Sequence, residues 1–287
     1  MNRRTLPTLF GLIVMLGCTA PVALNQLMDA RRLAADLHLQ FIKASDAGNR
    51  AVMADTDEAA GAASEEAAKA TQAAARDIEQ LRPLLESLGY ADERRFFDSF
   101  AGQFDEFRAL DAELLPLAVE NSNVKAQRLS FGPAREAAAS FRTAVEAAAR
   151  TAPRDATARA DALAGRAVVS MLEILALQAP HIAEADDSAM TKLEAQMMTS
   201  AQSGRRTVDQ LKMLLPPSGA PHVTAALAAL DRFESINADI IMLSWRNSDV
   251  RSLALSLGRR RMVTAVCDDQ LGALEHALAG HDNIATR

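Results

Sequence analysis

Along most of this chain, apolar residues return every three or four positions, which is the period of an amphipathic α-helix. Apolar runs at period two are absent, so the pattern predicts no strands. Helix stops punctuate it at three places: "GYA" at 89–91, "TAPRD" at 151–155 and "PPSGAP" at 216–221. Each combines residues that end or start helices. The pattern therefore predicts four long helices, near residues 24–88, 92–150, 154–215 and 222–280. Each would hold about 60 residues and span roughly 90 Å at the α-helical rise. Pro83, Pro116 and Pro180 fall inside them and are expected to kink them.

The polar positions carry a second pattern. "NSNVKAQRLSFGPAR", Asn121 to Arg135, recurs as "NSDVRSLALSLGRRR", Asn247 to Arg261, at a spacing of 126. "RDIEQLRPLL" at 76–85 likewise recurs as "RTVDQLKMLL" at 206–215. Two ordered matches predict a duplicated helical hairpin, residues 29–150 and 154–282, that cannot bury its apolar face alone. Paired, the copies make an all-α, up-down-up-down four-helix bundle over residues 29–287. The twin motifs would then share one height about a pseudo-twofold axis along the bundle. At helical steps, Leu117, Asn121, Val124, Phe131 and Arg135 fall on one stripe. Leu243, Asn247, Val250, Leu257, Arg261 and Thr264 form its twin. Asparagine and arginine thus interrupt a core-facing stripe at matched positions. Gly132 and Gly258 leave room there for a close helix or a bound group.

Composition agrees with helices, being rich in alanine with only one Trp and one Tyr. The net charge of −6 is spread over interspersed acidic and basic residues. No basic face with aromatic interleaving exists, which argues against nucleic acid as a partner. The N-terminus changes the picture more. Arg3 and Arg4 precede a run without charge from Thr5 to Met28, long enough to cross a bilayer. Its basic start implies that the rest of the chain lies outside the cytoplasm. Residues 1–28 read first as a signal anchor, placing the bundle on the periplasmic face of a bacterial inner membrane. A lipoprotein signal ending at Cys18 comes second, and a cleaved signal peptide third. With Cys18 in that segment, Cys267 reads as a buried free thiol.

Asn121 and Asn247 have the residue type that fixes register on a bundle seam. Arg135 and Arg261 can instead hold a small anion by paired hydrogen bonds. Together with Arg251 these residues form the candidate ligand set. Met190 and Met197 share a stripe and read as core filling, Met198 beside them carrying no further signal. The acidic clusters Asp55, Asp57, Glu58 and Glu184, Asp186, Asp187 read as solvated faces. No histidine has Glu three positions before it, and the zinc-hydrolase, haem-attachment and nucleotide-loop motifs are missing. The reading is therefore non-enzymatic, with no metal and no cofactor.

An N-in apolar anchor running directly into a long, Ala-rich helical bundle resembles the sensory module of bacterial methyl-accepting chemotaxis receptors. The terminal stretch "NSDVRSLALSLGRRRMVTAVCDDQLGALEHAL" is similar to the last helix of such modules. The resemblance covers most of residues 25–282 and rests on pattern. It implies an extracytoplasmic bundle that senses a ligand or partner, working as a homodimer. Such receptors continue into a second span and a signalling hairpin, whereas this sequence ends at "HDNIATR". The expectation is a sensor-like bundle that acts through a separate membrane signalling partner. A structural spacer or scaffold lipoprotein is the alternative.

Overall fold

The computed structural model describes residues 20–281. Most of the expected anchor, and Cys18 as a lipidation site, lie outside the described residues. The rest of the uncharged run, from Ala20, already belongs to a helix whose Leu27 is buried. No described helix is long and apolar enough to cross a membrane.

The described residues are helical, without strands, as the period predicts. In chain order they form α1 (Ala20–Val52), α2 (Asp57–Leu88), α3 (Ala91–Glu120), α4 (Ser122–Leu129), α5 (Arg135–Ala149), α6 (Thr157–Ala183), α7 (Asp187–Lys212), α8 (Ala220–Arg246), α9 (Ser248–Leu255) and α10 (Arg261–Gly280). The three expected stops are all present, the first closed by Gly89 at a left-handed φ of 69°.

The expectation of four continuous helices is corrected in two places. The segments expected at 24–88 and 154–215 each fold back on themselves, so six helices stand where four were expected. Gln26 donates to Ser87 at 3.1 Å, and Ser200 donates to Glu173 at 2.7 Å. A straight helix would hold the first pair roughly 90 Å apart. The turns are made by the residues read as solvated acidic faces. Asp186 caps α7 by accepting from the Ala189 amide at 2.7 Å, while Glu184 accepts from the amides of Ala185 and Asp186. Thr56 caps α2 through the Ala59 amide at 3.1 Å. Asp57, Glu58 and Asp187 then lie in first turns, where the helix dipole favours them. Each repeat is consequently three helices rather than a hairpin: α1, α2 and a long helix, then α6, α7 and a second long helix.

The long helices are α3 to α5 and α8 to α10. The chain divides into two compact units, and each long helix contributes to both. The first unit takes most of α1 and α2, the start of α3, and α10. Its seams repeat at alternating steps of three and four, as in coiled coils. On α1 the seam is Leu27, Ala30, Ala34, Leu37, Phe41 and Ala44, and on α3 it is Phe97, Phe100, Phe104 and Phe107. Small residues on α1 leave room for the phenylalanines opposite. Phe41 meets Phe100 and Phe107 edge-on, with ring centroids 5.8 and 5.1 Å apart. Cys267 is a buried free thiol here. Burial, reinforced by Asp268 and Glu106, pushes its pKa up to about 12, so it stays protonated.

The second unit holds residues 47–65 and 109–261. Its core is built from α5, α6, α7 and α8, around Phe141, Met171, Ile174, Leu211, Leu230 and Phe233. Met190 and Met197 are buried as core filling, and Met198 is exposed.

Candidate functional site

Both long helices break at the repeated motif. Asn121 (φ 53°, ψ 41°) and Asn247 (φ 51°, ψ 35°) are left-handed, a conformation that costs most side chains about 1–2 kcal/mol and suits asparagine best after glycine. A π-helical segment follows the first, at Ser130–Ala134, and a kink follows the second, where Gly258 is non-helical (φ −91°, ψ −114°) within Ser256–Arg260. Pro133, which has no backbone donor, lies in the first of them. The two interruptions change the phase of the buried face. Before Ala118 the buried positions of α3 alternate by three and four. From there they run Ala118, Ser122, Ala126, Ser130 and Ala134, at steps of four. Ser244, Ser248 and Ser252 keep the same step on the other helix, and Arg260 follows two such steps on, past half-buried Ser256. A π-helical segment adds a residue to its turn, and a kink re-aims the chain, so each rotates the helix beyond it. Leu257 and Arg261, expected inside, are therefore exposed, and Arg260 is buried in their place. Phe131 and Arg135 are exposed for the same reason.

The twin motifs meet each other directly, and not about an axis along the bundle. Ser122 pairs with Ser248 while Asp111 pairs with Arg260, so the long helices run antiparallel there. A repeat of three helices reverses direction an odd number of times, which turns equivalent helices opposite ways; a hairpin repeat would have left them parallel. The local twofold therefore crosses the long helices. About it, the Ser122 amide donates to Ser248 Oγ at 2.9 Å and the Ser248 amide to Ser122 Oγ at 3.1 Å. The Asn123 amide donates to Asp249 Oδ2 at 2.7 Å, and the Asp249 amide to Asn123 Oδ1 at 3.2 Å. Each motif thus caps the helix start of the other, satisfying amides that have no intrahelical partner.

One position breaks this symmetry. Asn123 Nδ2 donates to Asn247 Oδ1 at 2.9 Å and to the Ile182 carbonyl at 2.6 Å, and Asn247 Nδ2 donates to the Glu184 carbonyl at 2.8 Å. Its counterpart Asp249 is a carboxylate with no hydrogen to offer. Asn121 Oδ1 is left buried without a partner.

A polar layer flanks this lock on each side. On one side Arg260, buried just after the Gly258 kink, donates from Nε to Asp111 Oδ1 at 2.5 Å and from Nη1 to Asn49 Oδ1 at 3.0 Å. Ser256 also donates to Asn49, at 3.2 Å. A Cβ on Gly48 would run into the Arg260 guanidinium, so a side chain there would have to displace it from Asn49 and Asp111. On the other side, 126 residues away in sequence, Asn237 stands for Asp111, Ser130 for Ser256 and Ala134 for Arg260. Gln178 bridges the gap: Ser130 donates to its Oε1 at 2.7 Å, and its Nε2 donates to Asn237 Oδ1 at 2.9 Å. The same layer is ionic in one copy and neutral in the other.

Beside the neutral layer lies a groove of about 490 Å³, between the first π-helical segment with α5 and the antiparallel α6. Its floor is apolar, with Ala138, Val168, Met171, Leu172 and Leu175, and Ser130 forms part of one end. Arg135 and Arg142 line it, and no acidic residue does. The Arg135 guanidinium lies 4.9 Å from the centre of the Phe131 ring. Among the described residues, neither guanidinium pairs with a carboxylate. Of the candidate ligand set, Arg135 thus lines a groove, and Asn121 and Asn247 belong to the helix lock. Arg251 and Arg261 are exposed and line no part of this groove. Positions 132 and 258 face open space, so no helix packs closely against either glycine. Arg142, Gln178 and Asn237 were not singled out by sequence. The last could have been, since it is the counterpart of Asp111.

No family model, no curated protein and no solved structure matches this chain significantly.

Proposed function

We propose that the chain is a membrane-tethered, extracytoplasmic, non-catalytic bundle of the sensor kind that binds a small organic anion. The observation that carries this reading is the groove along α5 and α6. It is large enough for a small molecule, apolar in its floor, and lined by two guanidiniums without carboxylate partners. Guanidiniums that a fold leaves without anions beside an apolar groove suit the recognition of a carboxylate. The uncharged run from Thr5 to Met28 supports the tether. Each compact unit is read as an up-down four-helix bundle in its own right, and the working form as a homodimer that acts through a membrane signalling partner. Ligand would act on the long helices at the Asn breaks, the π-helical turn and the Gly258 kink, where helices move by small shifts.

The test is a thermal melt of the full-length chain against a panel of alkyl and aryl carboxylates. At a hundredfold excess over Kd, about 2.7 kcal/mol of stabilisation is expected, a rise of roughly 5 to 10 °C. The rise should shrink in Arg135→Ala or Arg142→Ala and vanish when both are replaced. A flat response to every acid would sink this reading. It would favour a structural spacer or scaffold lipoprotein, which the solidly packed Ser122–Ser248 lock supports.

A further inference from the structure

We infer that the groove along α5 and α6 is shaped for a dianion, a saturated chain with an acid group at each end, rather than for a compact acid. This inference rests on the groove being a ligand site and adds the class of ligand. Arg135 and Arg142 are seven positions apart on α5, two helical turns, or roughly 10 Å along the axis. They are therefore on one face of the helix, and a ligand lying along the groove meets them two turns apart. What separates them along the groove is apolar: Ala138 and Ala139 on α5, with Met171, Leu172 and Leu175 from α6. The antiparallel run of α6 sets the order. Ser130 is bonded to Gln178 at one end, so Val168 lies toward the Arg142 end.

A carboxylate needs two parallel N–H donors, and each guanidinium offers them. Both are exposed side chains on a rigid helix, and Arg135 is further held over Phe131. A short diacid bridges the two only if both side chains converge over Ala138 and Ala139, which leaves the α6 surface uncovered. A monoacid of the right length fills the floor but leaves the second guanidinium unanswered. A saturated α,ω-dicarboxylate of about nine carbons spans both, since its extended chain covers roughly the same two helical turns. Its methylenes then cover the Met171, Leu172 and Leu175 surface.

The experiment is calorimetric titration of the full-length chain with saturated dicarboxylates of four to twelve carbons, and with nonanoate as the single-acid control. Affinity is expected to peak near the nine-carbon diacid, which should bind about tenfold tighter than nonanoate. Succinate should bind more weakly than either. In Arg135→Ala and in Arg142→Ala the nine-carbon diacid should fall to the affinity that nonanoate has for the unaltered chain. Both variants change exposed residues, and circular dichroism would confirm that they fold. If diacid and monoacid bind equally at every length, the bridging inference is overturned while the groove remains a site for anions. If neither class binds, both readings fall together.

Discussion

Replacing Arg260 with methionine is expected to destabilise the folded chain by about 3–5 kcal/mol, because it strands a buried carboxylate. Arg260 is 1 % exposed and Asp111 is 4 % exposed. Burial pushes the Asp111 carboxyl above its ordinary value of 3.8, while the hydrogen bond and charge of Arg260 act the other way. Because the folded value is the higher one, the stability linked to Asp111 is complete below the ordinary value and declines as pH rises through the folded one. Without Arg260 the folded value climbs further and the decline steepens. The loss in Arg260→Met should therefore be larger at pH 7 than at pH 4 in urea unfolding. Adding Asp111→Leu should recover most of it, since a buried ion pair replaced by packed apolar residues is close to neutral. Equal loss at both pH values, or no recovery in the double variant, would show that the pair does not carry this energy. The neutral copy of the layer, Gln178 with Asn237, is the chain's own demonstration that the position can be filled without charge.

Asn247→Ala should cost about 3 kcal/mol, and the equivalent Asn121→Ala only about 1–2. Both lose the residue that best tolerates left-handed backbone after glycine, worth about 1–2 kcal/mol. Only Asn247 also loses two good hydrogen bonds, to Asn123 and to the Glu184 carbonyl, each worth about 1 kcal/mol. Asn121 offers one long contact, 3.5 Å to Asp57, and its carbonyl is unpaired. Asn247→Gly separates the two effects, since glycine keeps the backbone and removes the bonds. The same asymmetry implies that Asp249→Asn stabilises the chain by about 1 kcal/mol, by giving Asn121 Oδ1 the donor that Asn123 gives Asn247. Equal costs at 121 and 247 in denaturant unfolding would mean that the broken symmetry has no energetic weight.

The difference between what was legible in the chain and what was not comes from how far each signal reaches. Helical period, the stops at Gly89, at Pro153 and at Pro216–Pro217, and the recurrence of the Asn121 motif at Asn247 are properties of neighbouring residues, and all are present in the fold. The turns at 53–56 and 184–186 contain neither proline nor glycine. Their signal is a cap, Thr56 or Asp186, which looks the same as an acidic stretch on a solvated helix face until the chain folds back. Once that turn is missed, the repeat has two helices and not three, and the long helices come out parallel.

Phase was lost for a similar reason. A regular helix through Asn247 and Gly258 puts Arg261 inside, but the left-handed residue and the kink at Gly258 rotate the helix and bury Arg260. Each interruption draws on bonds from outside its own helix. The bonds that hold them come from the opposite motif and from the Asn49, Asp111 and Gln178 layers. Arg142 became a groove residue only because α6 packs where it does. The sequence by itself determined an all-helical chain, its principal stops and the importance of a twice-written polar motif, since propensity and period are local. Only the tertiary structure decided direction, phase and which arginines face a groove. Those depend on partners brought in by the fold, from Gln178, 48 residues from Ser130, to Arg260, 211 from Asn49, with which the helices exchange capping and buried hydrogen bonds.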